Sequence, residues 1–176
     1  MKETALGHLF GLRLSFLPSV LIGFISVWGI LSLAAGYFLR APLPAALGWG
    51  LAATVFHWLS ELVHNLGHAW AAQRTGHPMT GIRFWGLLAT SVYPAAEGQL
   101  PGRIHIQRAL GGPAASALLT LLAGSATLAL PPQNLPWWLA LFVCLENLFV
   151  FTLQVFLPLG FNDGATLWHW LRQNYR

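Results

Sequence analysis

The chain has 176 residues, of which 56% are hydrophobic and only 8% charged, with a formal net charge of +4. Soluble domains carry roughly 25% charged residues, so this composition excludes an ordinary soluble protein. The positive balance includes a single lysine and no dense basic run, which argues against nucleic acid and leaves the arginines as membrane-flanking charges.

Taken in chain order, the first predicted element is a membrane span at 15–39. The 26 residues between Arg13 and Arg40 carry no charge, and a spanning helix needs about 20. The stretch is too long for a cleaved signal, whose apolar region runs to about 15 residues, so it reads as a retained helix. "RAPLPAA" (40–46) breaks it with two prolines. A second span is predicted at 45–72 and contains His57, Glu61, His64 and His68. Residues 73–106 form a Gly- and Pro-rich connection. Within it, "MTGIRFWGLLATSVYP" (79–94) is apolar but too interrupted to span, and reads as a short hairpin or re-entrant segment. Such backbone is tolerated at membrane depth only where protein or water satisfies it. A third span at 107–130 ends at "PPQNLP" (131–136), and a fourth at 137–159 ends near Pro158 and Gly160. A short amphipathic helix at 163–174 follows. Cys144, the sole cysteine, lies in an apolar run and reads as a packing residue, with no disulfide or cysteine-based zinc site.

The expected fold class is therefore an all-α integral membrane protein. It has about four transmembrane helices and a short hairpin or re-entrant segment between the second and third, in one membrane-embedded domain over 1–176. With the N-terminus inside, Lys2, Arg13, Arg74, Arg83, Arg103, Arg108, Arg172 and Arg176 fall inside and only Arg40 outside. That bias places both termini, and the 73–106 connection, on the cytoplasmic side of a cell membrane.

The polar residues of the second span carry the functional argument, because ionisable groups in hydrocarbon are costly. His57, Glu61, His64 and His68 step by 4, 3 and 4 and share one helical face. His64 and His68, at i and i+4, can reach one metal ion. A catalytic zinc needs a third protein ligand and an open position. Asp163 follows the fourth span, which runs outside to inside like the second, so it arrives at the depth of the two histidines. The competing reading of a histidine pair is hydrogen bonding between helices. Glu61, His57 and the depth-matched Asp163 favour the metal.

Three segments resemble the site-2 proteases, which are intramembrane zinc metalloproteases. "LVHNLGHAWAAQRTGHP" (62–78) is similar to that family's first zinc box. "ALGGPAASALL" (109–119) is similar to its Gly-Pro element, and "LPLGFNDGATL" (157–167) to its Asp-Gly element. The resemblance implies zinc held by His64, His68 and Asp163. It also implies hydrolysis of transmembrane helices near the cytoplasmic face, and an unwound substrate adding as a strand beside 79–94. The partners implied are a transmembrane helix of a substrate or client protein and the bilayer itself.

Departures from the family's pattern sharpen the question. Asn65 stands where the family has the glutamate that acts as general base. Ser116 stands where an Asn helps orient substrate. Asn147 and Gln154 resemble polar positions of the last core helix only if one residue is inserted before Pro158. Glu61, one turn before Asn65, is either a substitute base or a carboxylate that orients His57 or His64. Glu146 is either a second relocated base or an acid hydrogen-bonded between helices. Two functions stay open: an intramembrane zinc protease, and a pseudoprotease that keeps zinc and binds transmembrane helices without cutting them. A haem carrier is disfavoured, because the third and fourth spans contain no histidine.

Overall fold

A computed structural model describes residues 2–174. Arg176, counted above among the inside charges, lies outside the described residues. The chain opens with a hairpin of β1 (Thr4–Leu9) and β2 (Leu12–Phe16). Its two turn residues, Phe10 and Gly11, have φ of 50° and 79°, the left-handed pair that matches the twist of the flanking strands. β2 pairs in parallel with β3 (Gly81–Trp85), which pairs antiparallel with β4 (Leu88–Val92), so the sheet runs β1-β2-β3-β4.

The sheet corrects the all-α expectation. Leu12, Leu14 and Phe16 alternate with Arg13 and Ser15, a strand period of two. The uncharged run that starts after Arg13 hides that period, so the first span was expected to begin at 15. It begins at Ser19 instead, after Pro18.

The helices are α1 (Ser19–Phe38), α2 (Leu43–Arg74), α3 (Gly102–Ala129), α4 (Leu135–Glu146) and α5 (Asp163–Asn174). α4 continues as a π-helical stretch (Asn147–Thr152) and a 3-10 turn (Leu153–Phe156). α1, α3 and the continuous length Leu135–Phe156 are each long and apolar enough to cross a membrane. The chain is thus a multi-pass membrane protein. α2 has 32 residues, about 48 Å of helix, but its polar stripe keeps it below the same apolarity.

Small residues set the helix spacing around the site. Gly67 of α2 and Gly111 of α3 each face the other's backbone carbonyl so closely that neither could carry a Cβ. Close backbone approach of this kind is how membrane helices pack without a hydrophobic driving force. On the opposite face of α2, Ala72 joins Leu12, Met79, Ile82 and Phe84 in a buried cluster beneath the sheet.

The β3–β4 hairpin packs its tip against α1. Its tip, Gly86, has φ of 52° and donates its N–H to Ser19 Oγ at 3.1 Å. The Gly86 carbonyl packs onto Gly23, one turn into the apolar length of α1, where no Cβ fits. The tip therefore runs alongside the helices, with β4 as the edge strand beside α2.

Candidate metal centre

His64 and His68 lie in the second half of α2, one turn apart, and α5 begins at Asp163 opposite them. His64 Nε2 is 3.1 Å from His68 Nε2 and 3.1 Å from Asp163 Oδ2, and His68 Nε2 is 3.2 Å from Asp163 Oδ1. Ligand atoms about 2.0–2.1 Å from a tetrahedral ion sit about 3.3 Å from one another, so the three donors have the spacing of a shared coordination sphere. This is a group able to hold a metal ion.

The hydrogen bonds behind the histidines support that reading. His68 Nδ1–H donates to the Arg108 carbonyl at 2.8 Å, which leaves Nε2 with its lone pair. His64 Nδ1 is 3.0 Å from Ser116 Oγ, and donation there leaves its Nε2 in the same state. Two lone pairs and a carboxylate then face one another at contact distance. Such a set is repulsive unless a cation or shared proton lies among them, and neutral imidazole with carboxylate suits zinc. Gly112 of α3 faces this point. A Cβ there would run into both Nε2 atoms, so the glycine keeps the space between the ligands open.

Asp163 is held from its own side. Gln154 Nε2–H donates to Asp163 Oδ2 at 2.6 Å, and Asn162 bonds the Gln154 and Leu157 carbonyls. Gly164 packs on those same carbonyls with no room for a side chain. Burial pushes the Asp163 carboxyl up, but where His64 and His68 carry protons on Nε2 their hydrogen bonds outweigh it and hold the group well below the usual carboxylate range. Gln154 lies in the 3-10 turn that follows directly on the π-helical stretch, and such bulges recur at functional sites.

The metal group opens into a cavity of about 680 Å³ that Glu61, Asn65 and residues 88–91 of β4 also line. Asn65 is 2% exposed and committed at both ends: Nδ2–H donates to the Glu61 carbonyl at 3.0 Å, and Oδ1 accepts from Ser91 Oγ at 3.1 Å. Ser116, expected to orient substrate, is fully buried behind His64. Glu61 Oε2 accepts the Ala89 backbone N–H at 3.1 Å. His57 and Glu146 are joined to each other at 2.7 Å, not to the metal group. Asn147 bonds Ser60 across the helix interface, fully buried.

One contributor had no signal in the sequence beyond its charge. Arg108 is buried, and its two terminal nitrogens grip Glu97 at 2.6 and 2.9 Å. It also reaches the His77 carbonyl at 2.6 Å and lies over the Tyr93 ring at 4.1 Å. Burial pushes the Tyr93 phenol up to about 12. The same residue's carbonyl fixes His68, so the lip of the cavity and a candidate metal ligand share one support.

Compared with solved structures, the chain is similar to the Site-2 Protease from Methanocaldococcus jannaschii. The TM-score is 0.61 and the identity 15%, over 98% of this chain and 73% of that one. The likeness establishes a site-2-protease-like fold. No family model matches the sequence, and no curated protein does.

Proposed function

We propose that this chain is an intramembrane zinc metalloprotease of site-2 protease type, acting on transmembrane helices of a protein substrate near the cytoplasmic face. The observation that carries the reading is the convergence of His64, His68 and Asp163 on one point, in a cavity bordered by an edge strand. In this reading α1, α2, α3 and the α4 length are four spans of one membrane-embedded domain in the cell membrane. Both termini and the 73–106 connection then lie on the cytoplasmic side. Zinc bound by the three ligands supplies Lewis-acid activation of a carbonyl and of water. Ser116 and the Arg108 carbonyl orient the imidazoles, Gln154 orients the carboxylate, and β4 offers backbone groups to an unwound segment.

Asn65 has no proton chemistry, and a missing general base costs about 10²–10⁴-fold. Its two hydrogen bonds favour a second reading. A residue tied at both amide ends to α2 and β4 is a structural tether, as expected of a pseudoprotease that binds zinc and transmembrane helices without cutting them. Two measurements on the detergent-purified chain test the proposal. About one zinc per chain, lost in His68→Ala and in Asp163→Ala, supports the metal centre, and no zinc at neutral pH overturns it. Cleavage of a single-span reporter by the native chain supports the protease. Cleavage by Asn65→Glu alone assigns the native chain to the second reading.

A further inference from the structure

We propose that His57, Glu61 and Glu146 form an end-stop that fixes how far an extended peptide can run along β4. The inference rests on the reading of β4 as the docking edge. The direction of the β4 backbone follows from two bonds. The Phe84 carbonyl accepts from Leu17 N–H of the segment after β2 at 2.9 Å, so Phe84 faces β2 and not its opposite residue Ala89. Ala89 N–H correspondingly points away from the sheet, to Glu61. Strand alternation then turns the backbone groups of Ala89 and Ser91 to the free edge, and the Leu87 carbonyl, in the turn before β4, reaches His57 on the same side.

That edge is divided. At the hairpin tip, His57 Nε2 lies 3.3 Å from the Leu87 carbonyl, and Glu61 Oε2 takes the Ala89 N–H. Two side chains of α2 thus stand where a neighbouring strand would. Beyond them, the Ala89 carbonyl and the Ser91 backbone border the cavity that holds the metal group. Leu88 to Ser91 line this cavity, whereas Leu87 does not.

The stop is firmly held. His57 sits between two acceptors, the Leu87 carbonyl and Glu146 Oε1 at 2.7 Å. Its Nε2–H therefore donates to Leu87, and one proton lies between Nδ1 and Glu146. Unpaired backbone at membrane depth is costly, which accounts for capping of the tip by the chain itself. A peptide extending past Ala89 would strip both caps, leaving the Glu61 carboxylate without its N–H donor and the His57 Nε2–H without an acceptor. Glu61 Oε1, buried and unpartnered among the described residues, can accept one N–H from the end of the docked segment. Only the short stretch opposite 89–91 is then drawn out of its helix, and the bond presented to the metal group is fixed in register.

The test uses the full chain in proteoliposomes, with Cys144→Ser and a single new cysteine at Thr90→Cys or Leu87→Cys. The probe is a synthetic single-span Leu/Ala peptide with a Gly-Pro break near its cytoplasmic end. One cysteine is scanned through the peptide, and disulfide cross-links are counted. Thr90→Cys is expected to cross-link, and Leu87→Cys at least about tenfold less, the factor for losing even one of the two caps. Adding Glu61→Ala and His57→Ala raises Leu87→Cys to the Thr90→Cys level. Glu61→Gln does not, because its amide oxygen still caps Ala89. Equal cross-linking at the two positions in the otherwise native chain overturns the stop and leaves the docking edge standing. No cross-link at Thr90→Cys in any background removes the docking edge and the stop together. The native comparison involves no cavity-forming change, so it decides the matter even where the double variant misfolds.

Discussion

Two polar clusters share one stripe of α2, and they differ in what their histidines face. His64 and His68 each spend one ring nitrogen on a fixed neighbour and turn the other toward a carboxylate and toward each other. His57 spends both nitrogens on protein acceptors and has none to offer a ligand. Histidine count on a helical face therefore does not identify a metal ligand, whereas the partner of the second nitrogen does. The comparison also separates the carboxylates. Asp163 completes a set of converging donors, while Glu61 covers a backbone N–H.

Removing a ligand breaks the comparison most severely. His68→Ala or Asp163→Ala abolishes stoichiometric zinc, read by metal analysis of the purified chain. Glu61→Gln and His57→Gln keep about one zinc each. Acidification gives the same contrast. Because Asp163 is held low by its histidine partners, it stays ionised while the imidazoles take up protons. Zinc is retained at neutral pH and lost as pH falls through the histidine range, and a proton-release measurement on binding follows the same limb. Loss of zinc in His57→Gln would show that the two clusters are one site.

Asn65→Glu sharpens the difference next. It places a carboxylate beside the metal group and removes the amide N–H that donates to the Glu61 carbonyl. Cleavage of a single-span reporter is expected to rise about 10²–10⁴-fold. If Glu61→Gln lowers native cleavage by a comparable factor with zinc retained, Glu61 is the base and the cap assignment falls.

How much of this was legible in the sequence depends on the range of each interaction. The stripe of α2 and the helix at 163–174 follow from local period, and α5 falls on that range. Asp163 could be matched to the histidines because topology alone sets depth. The β1–β2 hairpin was missed because its alternation merges with the apolar run of α1 and because β3, its parallel partner, is distant in sequence. The surroundings of Ser116 were hidden for a related reason. Its motif position suggests substrate, whereas the close crossing at Gly67 and Gly111 turns its hydroxyl onto His64. The caps on Leu87 and Ala89 needed the position of the hairpin tip, which no local pattern encodes.

Smaller effects come from residues that touch the ligands without binding the ion. Ser116→Ala and Gln154→Ala are each expected to weaken zinc about 10–100-fold, measured by competition with a chelating dye. Wild-type affinity in Ser116→Ala would mean that His64 is oriented by its helix alone.

Glu146→Gln should change least, and the reason lies in the proton shared with His57. The glutamine amide can donate N–H to Nδ1, so that Nε2–H still reaches the Leu87 carbonyl. Stability is expected to fall by no more than about 1 kcal/mol, with zinc content unchanged. Glu146→Ala removes the partner outright, leaves a buried imidazole uncompensated, and is expected to cost about 3–5 kcal/mol. Thermal unfolding of the two variants side by side reads the difference, and zinc content should hold in both below the transition. Equal losses in the two variants would mean that the carboxylate charge, and not the hydrogen bond, holds His57 on the hairpin tip. The cap on Leu87 would then be an ion pair with a bystander carbonyl, and the contrast with the metal group would rest on Glu61 alone.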